Sequence, residues 1–327
     1  MPFKNNWENT DQRISLSNEI IEKIISQTFR KEQLNLHEVI AGGCANLNIK
    51  FTLQNRSPLL LRIYLRDPDA AFREQALTQR LKHLLPTPQI YHIGKFEDYQ
   101  FAICEFINGI TLRDLLLSNQ PYSLESLMHS AGEMLAKIQQ ITFSKAGFFD
   151  KNLDVISPID QNSYLDFVKD TLKNPTINSE LEPSTISKID QIIQKFAHLF
   201  PDVSEKNLVH GDFDPANILV ENINDEWQIA AILDWEFAFS GSTLCDIANM
   251  LRYRDDMPTT FESAFLEGLT TSGFTLASNW RTSIEILNLS SLLDCLARAN
   301  PSTQPNQCQD IRNLIDKILA RLQNTNI

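Results

Sequence analysis

The chain has 327 residues, 43% hydrophobic and 21% charged, an ordinary globular composition, long enough to bury a large core without staples. Its formal charge of −12, from 29 Lys and Arg against 41 Asp and Glu, disfavours nucleic acid and anionic membrane as partners; a negative cleft would suit a cationic small molecule, although an acidic surface also serves solubility alone. Five scattered cysteines without a CxxC pair (Cys44, Cys104, Cys245, Cys295, Cys308), no apolar leader in MPFKNNWENTDQR and no apolar run near membrane length fit a soluble, cytoplasmic protein in a reducing compartment.

Residues 17–30 read as an amphipathic helix, with Ser17 or Asn18 as N-cap and Ile20, Ile21, Ile24 and Ile25 at helical spacing. Three strand-like runs follow, near 36–41, 47–53 and 59–65, and predict an antiparallel sheet. The first turn, Gly42-Gly43-Cys44-Ala45-Asn46, has two glycines that would let backbone N–H groups approach a phosphate, and it is equally an ordinary hairpin turn. No P-loop pattern GxxxxGK(S/T) occurs. Asp69 stands as the N-cap of a helix through Leu85, whose buried stripe is Leu77, Leu81, Leu84 and Leu85.

Two more strands, over 90–96 and 99–106, meet at Glu97-Asp98, and the chain then runs through Glu105-Phe106-Ile107-Asn108-Gly109 into helical sequence. Thr111 with Asp114 three residues on resembles a capping box, and Ser123 precedes a helix with Leu127, Ala131, Met134, Leu135 and Ile138 on its apolar face. Residues 150–183 are rich in Asn, Ser and Pro and carry no clear period, as an insertion flanking a substrate site would. Helices are expected over 184–200, 261–269, 280–298 and 308–322, with Pro301 and Pro305 separating the last two.

The chemistry concentrates between 208 and 248. His210-Gly211-Asp212 is followed by Asn217, five residues after Asp212, and by Asp234 at the end of an apolar run. The runs 218–220 and 229–233 are of strand length and flank a polar turn at Asn224-Asp225. A hairpin there brings Asn217, just before its first strand, beside Asp234, just after its second. An Asp in a loop accepts a proton from a hydroxyl, and Asn and Asp oxygens are hard ligands for Mg²⁺. Any one of these Asp residues alone is more often a turn or cap residue; the ordered set carries the signal.

That set, HGDxxxxN followed by Asp234-Trp235-Glu236 and by Gly241 and Asp246 in GxxxxD, resembles the aminoglycoside phosphotransferase and choline kinase-like family, relatives of protein kinases by fold. The resemblance implies an α+β, bilobal protein-kinase-like fold. Its N-terminal nucleotide-binding lobe would cover 1–107 and its catalytic and substrate-binding lobe 108–327, with ATP and Mg²⁺ between them. It implies Asp212 as catalytic base, Asn217 and Asp234 as Mg²⁺ ligands, Asp246 as brace of the catalytic loop, and His210 as a further brace. Gly42, Gly43 and Asn46 become the nucleotide-covering loop, and backbone groups of Glu105 and Ile107 the hinge that reads adenine. Arg62 stands where the superfamily usually carries a phosphate-binding Lys, a departure that a bidentate guanidinium can serve, with Glu74 as its helix partner. Glu236, Asp255 and Asp256 are either candidates to meet a cationic amine or solvated surface charges.

Only eleven residues (235–245) separate Asp234 from Asp246, too few for the activation segment of a protein kinase. The resemblance therefore implies a small-molecule hydroxyl as phosphate acceptor. Aminoglycoside, choline or ethanolamine, sugar or amino-sugar, and homoserine kinases share these motifs. The rival from another class is a catalytically silent nucleotide-binding or scaffold protein on the same fold, which Arg62 keeps open.

Overall fold

Strand parity decides what faces what in the first lobe. A computed structural model describes residues 3–8, 16–30, 32–40, 46–54 and 56–325. Helix α1 (Asn18–Thr28) begins at Ser17, whose hydroxyl accepts from the Ile20 amide, satisfying one of the orphan donors at a helix start. Strands β1 (Leu34–Ile40), β2 (Asn46–Leu53), β3 (Leu59–Tyr64), β4 (Ile90–Phe96) and β5 (Tyr99–Glu105) form an antiparallel sheet in the order β1-β2-β3-β5-β4. One set of alternate residues, Ile49, Phe51, Leu53, Leu61, Ile63, Phe101 and Ile103, buries against Ile21, Ile24 and Ile25 of α1. The opposite parity turns Arg62 and Tyr64 to the other face. There Tyr64, Ala102 and Cys104 pack with Ala70 and Ala71 of α2 (Ala70–Leu81).

Helix α2 is shorter than its sequence pattern implied. It ends at Leu81, the chain turns through 82–84, and Leu84 is exposed while Leu85 is buried. Asp69 holds the N-cap position without a side-chain cap; its own amide donates to Asp67 Oδ1 at 3.0 Å. Leu77 and Leu81 join the core of the second lobe, so α2 is packed on both lobes.

Residues 106–109 carry the chain across to β6 (Ile110–Thr111), which pairs with a strand of the second lobe. Thr111 caps α3 (Leu112–Leu116) by accepting from the Asp114 amide at 3.0 Å, while the Asp114 carboxylate turns to Arg113, so half of the capping box forms. Ser123 caps α4 (Leu124–Ile138). Residues 150–183 are ordered despite their weak pattern. Strands β7 (Gly147–Phe149) and β8 (Val155–Pro158) make a hairpin, followed by α5 (Ser163–Thr171), which buries only Val168, and by α6 (Pro175–Glu180), capped by Asn174.

Helix α7 (Pro183–Phe196) then leads to β9 (Asn207–Val209), β10 (Ile218–Ile223), β11 (Glu226–Ile232) and β12 (Phe239–Gly241), and to α8 (Leu244–Met250), α9 (Thr259–Thr271), α10 (Trp280–Arg298) and α11 (Pro305–Gln323). The small sheets run β11-β10-β6 and β8-β7-β12-β9, all antiparallel. The helices share one apolar core with Phe213, Ile218, Ile232 and Trp235 of the segments that carry the site. Residues 3–8, expected with the first lobe, pack on the second: Phe3 is 4% exposed and belongs to this core. No helix among the described residues is long and apolar enough to cross a membrane.

Helices α4 and α9 approach backbone to backbone. A Cβ at Gly132 would collide with the Phe265 carbonyl oxygen, and one at Gly268 with the His129 carbonyl oxygen. Helix propensity alone favours Ala over Gly by about 1 kcal/mol, but overpacking costs about 1–3 kcal/mol. Gly132→Ala should therefore lower the denaturation midpoint; a midpoint at or above that of the unaltered chain would mean that the two helices separate without cost.

Candidate active site

The site is assembled at strand ends. Strand β9 delivers His210, Gly211 and Asp212 to a loop that closes with a 3₁₀ turn over Pro215–Asn217. Gly211 has φ of +85°, and a Cβ there would collide with the Phe237 carbonyl oxygen, so the position requires glycine on both counts. Asp214 caps the turn, its Oδ1 accepting from the Ala216 amide at 2.8 Å.

Asp246, at the start of α8 and fully buried, accepts from the His210 amide at 2.8 Å and from the Gly211 amide at 3.0 Å. Burial pushes its carboxyl up to about 6, against the pull of His210 and of the two amides. His210 is fixed at both ring nitrogens. Nε2 lies 2.8 Å from the Leu233 carbonyl oxygen, and Nδ1 accepts from the Asp212 amide at 3.3 Å. Because a carbonyl only accepts, the proton is assigned to Nε2. The ring is committed to bracing, as its place in the motif implied.

The expected hairpin forms: β10 pairs with β11 in the register Ile218↔Ile232, and the Leu233 amide donates to the Asn217 carbonyl at 2.8 Å. Asn217 and Asp234 thus stand at adjoining strand ends. Asn217 Nδ2 donates to Asp212 at the backbone oxygen (2.9 Å) and at Oδ2 (3.0 Å), which leaves Oδ1 as the amide's hard oxygen. Asp234 has a left-handed backbone, φ +64°, a conformation that Asp tolerates better than most residues.

Across the cleft, Arg62 pairs with Glu74 at 3.1 Å and also hydrogen-bonds Asp234. Glu74 Oε2 accepts from the Tyr64 hydroxyl at 2.7 Å. The expected strand–helix ion pair is therefore present, and it extends to Asp234. Burial raises the Glu74 carboxyl, with Arg62 opposing and Asp234 reinforcing. Burial works against the Arg62 charge, and Glu74 and Asp234 more than restore it.

Asn46, at the edge of the glycine turn, donates to Glu236 Oε2 at 2.9 Å. Burial, followed by the charge of Asp234, pushes the Glu236 carboxyl up to about 7. Glu236 thus makes a contact between the lobes. Asp255 pairs with Arg321, and Asp256 with Lys317 at 3.0 Å, so both are committed to ion pairs with α11. Gly42 and Gly43 lie outside the described residues. Glu105 ends β5, with its amide donating to the Gln89 carbonyl at 2.8 Å, and Ile107 lies in the crossing between lobes.

Three residues of the site were not foreseen. Asn249 Nδ2 donates to the Gly211 carbonyl at 3.0 Å, and its Oδ1 accepts from Arg252 at 2.6 Å; Arg252 in turn is held by Asn288 and Ser291 of α10. The signal was available: Asp246, Asn249 and Arg252 recur every three residues in an otherwise apolar segment. Lys4 carried no such signal. Its Nζ lies 2.6 Å from Asp214 Oδ2 and 3.4 Å from Asp212 Oδ1.

The donor set suits a hard divalent cation bound together with phosphate. Among the described residues no cluster of three or more His, Cys, Asp or Glu forms a metal cage. One carboxylate and one amide oxygen are the sparse protein contribution expected when phosphate and water complete an octahedron. Arg62 Nε and Asn48 Oδ1 are buried without hydrogen-bond partners, unmet capacity of the kind that marks a ligand site.

An antiparallel-sheet lobe that leads through residues 106–109 into a helical lobe, with Asp212, Asn217 and Asp234 at the strand ends below it, is the protein-kinase-like architecture. Residues 37–281 match the phosphotransferase enzyme family, and the chain belongs to it. Hygromycin-B 4-O-kinase of Escherichia coli is 24% identical over 177 residues, which cover 52% of this chain and 48% of that protein; the chain spans about half the length of this curated relative. A thermostable mutant of aminoglycoside phosphotransferase APH(4)-Ia, in ternary complex with AMP-PNP and hygromycin B, superposes with a TM-score of 0.71 at 19% identity over 94% of this chain and 99% of that one. The GDP and kanamycin complex of APH(2″)-IIIa gives 0.72 at 15% identity over 92% and 98%. At these identities the likeness establishes the fold.

Asp246→Asn relieves the cost of a buried charge but turns an N–H donor toward one of the two loop amides. Asp246→Ala leaves both amides unpaired, at about 1–3 kcal/mol each. The Ala variant should lose more stability, and turnover should fall at least tenfold in both, read by thermal melting and steady-state rates. Full turnover with Asn at 246 would remove the bracing role.

Proposed function

We propose that the chain is an ATP-dependent kinase of a small molecule, moving the γ-phosphoryl group of ATP to an acceptor hydroxyl. The observation that carries the reading is the Asn217 amide held between the Asp212 carboxylate and the Asp234 strand end. That contact supports Asp212 as the base, with Asn217 and Asp234 as neighbouring hard oxygens at adjoining strand ends. In the reaction Asp212 takes the proton of the acceptor hydroxyl as the acceptor oxygen bonds to phosphorus and the bond from phosphorus to the ADP oxygen breaks. Asn217 orients Asp212 through its Nδ2 and would hold Mg²⁺ through Oδ1 together with Asp234. The metal, when bound, neutralises charge on the phosphate oxygens. Arg62, steadied by Glu74, grips the nonreacting phosphates. Such catalysis is mainly positioning and charge neutralisation.

A small acceptor is favoured by what fills 235–245. A 3₁₀ turn over Trp235–Phe237, strand β12 and the start of α8 occupy it, without room for a protein-binding segment. A cationic acceptor is favoured by Asp214, which already holds an ammonium at 2.6 Å, rather than by Glu236, Asp255 or Asp256. A hydroxyl-bearing amine such as hygromycin B or kanamycin, bound by the similar proteins, is therefore the first acceptor to test.

One observation favours the silent alternative: Arg62 pairs with Asp234 directly, so the metal carboxylate already has a cation. In the kinase reading Arg62 transfers to the phosphates when nucleotide binds.

ADP release from MgATP should be stimulated by at least one compound among amines, sugars and aminoglycosides, and Asp212→Asn should lower that rate by roughly 10²–10⁴, the usual contribution of a general base. A stimulated rate unchanged in the variant would sink the base assignment. MgATP should also raise the melting temperature, because it binds only the folded state, and Asp234→Asn, which keeps the left-handed backbone, should remove most of that shift. Absence of any shift in the unaltered chain would count against nucleotide binding altogether.

A further inference from the structure

The first described residues lie on the catalytic loop, and their attachment is specific. Phe3 is buried, its ring 5.4 Å from that of Tyr253 and 5.8 Å from that of Phe261. Phe3 and Lys4 both have left-handed backbones, φ +60° and +62°, a costly pair for non-glycine residues that persists because the flanking contacts hold it. The Trp7 amide closes the turn on the Lys4 carbonyl at 3.1 Å. Trp7 Nε1 donates to Asp310 Oδ2 at 2.9 Å, an oxygen that also accepts from the Tyr253 hydroxyl at 2.6 Å. Glu8 accepts from the Asn306 amide at 2.7 Å and the Gln307 amide at 3.2 Å, occupying the first turn of α11 with negative charge, where a helix favours it.

Between these anchors Lys4 reaches the carboxylates. Asp212 has two side-chain oxygens: Oδ2 is taken by Asn217, and Oδ1 faces the Lys4 ammonium at 3.4 Å. Proton abstraction needs a hydroxyl within about 2.6–3.2 Å of a base oxygen. The ammonium lies on that approach. Burial works against the Lys4 charge, but Asp212 and Asp214 more than offset it and hold Lys4 well above its usual range.

We propose that residues 3–8 form a strap over the acceptor side of the catalytic base, with Lys4 in the place of the acceptor, so that phosphoryl transfer requires the strap to lift. The proposal rests on Asp212 being that base. It commits to an occupant from this same chain. Each anchor is a separable contact: one aromatic ring, one indole hydrogen bond and one helix cap.

The test uses the full chain with Lys4→Met, which removes the ammonium, and with Phe3→Ala, which loosens the strap but keeps it. ADP release from MgATP to water, without an acceptor, should rise about fivefold or more in both variants, while the melting shift given by MgATP stays as in the unaltered chain. In Phe3→Ala, trypsin should also cut after Lys4 at least tenfold faster, which reports release of the strap without reference to activity. A fall or no change in ADP release in both variants would overturn the strap, and a fall confined to Lys4→Met would instead make Lys4 part of the chemistry. Combining Lys4→Met with Asp212→Asn separates the two readings. The gain should vanish in the double variant; a gain that survives removal of the carboxylate overturns the base assignment on which the strap depends.

Discussion

Two amides and one carboxylate fix this site. The buried Asp246 carboxylate gathers the amides of His210 and Gly211 at the start of the loop from 210 to 217. With that clamp made, His210 meets the Leu233 carbonyl and Asn249 meets the Gly211 carbonyl. The clamp is made at a cost, since the carboxyl is pushed up to about 6 by burial. Arg252, just beyond α8, ties it to α10 through Asn288, so the geometry of the loop is inherited from a largely buried helix of the second lobe.

The other charged cluster has the opposite character. Arg62 faces Glu74, Asp234 and Glu236 in a space largely closed to water, and both glutamates are raised toward protonation by burial. A buried ion pair whose partners do not balance is a poor source of stability. Its value lies in poise: an excess of carboxylate beside one guanidinium favours the arrival of further positive charge, while the guanidinium itself can exchange a carboxylate for a phosphate.

What could be read from the sequence followed locality. Arg62 was legible through the family resemblance, which names the strand position, and Asn217 with Asp234 through a hairpin whose turn and register are short-range facts. Ser17, Ser123 and half of the Thr111 box announced their helices because capping is settled within three residues. Leu84 misled because its spacing continued a period that the backbone had already abandoned at Leu81. The partners of Glu236, Asp255 and Asp256 were not legible for a different reason: sign is visible in a sequence, but the partner is not, and Asn46, Arg321 and Lys317 lie 60 or more positions away along the chain. Lys4 is the extreme case. Its contacts span 208 and 210 positions, and nothing in MPFKNN has a period or motif that points to them.

The route of the first segment has a mechanical consequence. Residues 3–8 are fastened to the second lobe, whereas α1 is fastened to the far face of the first. Glu8 and Leu16, close in sequence, thus belong to different lobes: one caps α11, and the other packs with the core beneath the sheet that carries Arg62. Lys4 is therefore seated by the second lobe alone, so it travels with Asp212 and not with Arg62 in any relative movement of the two.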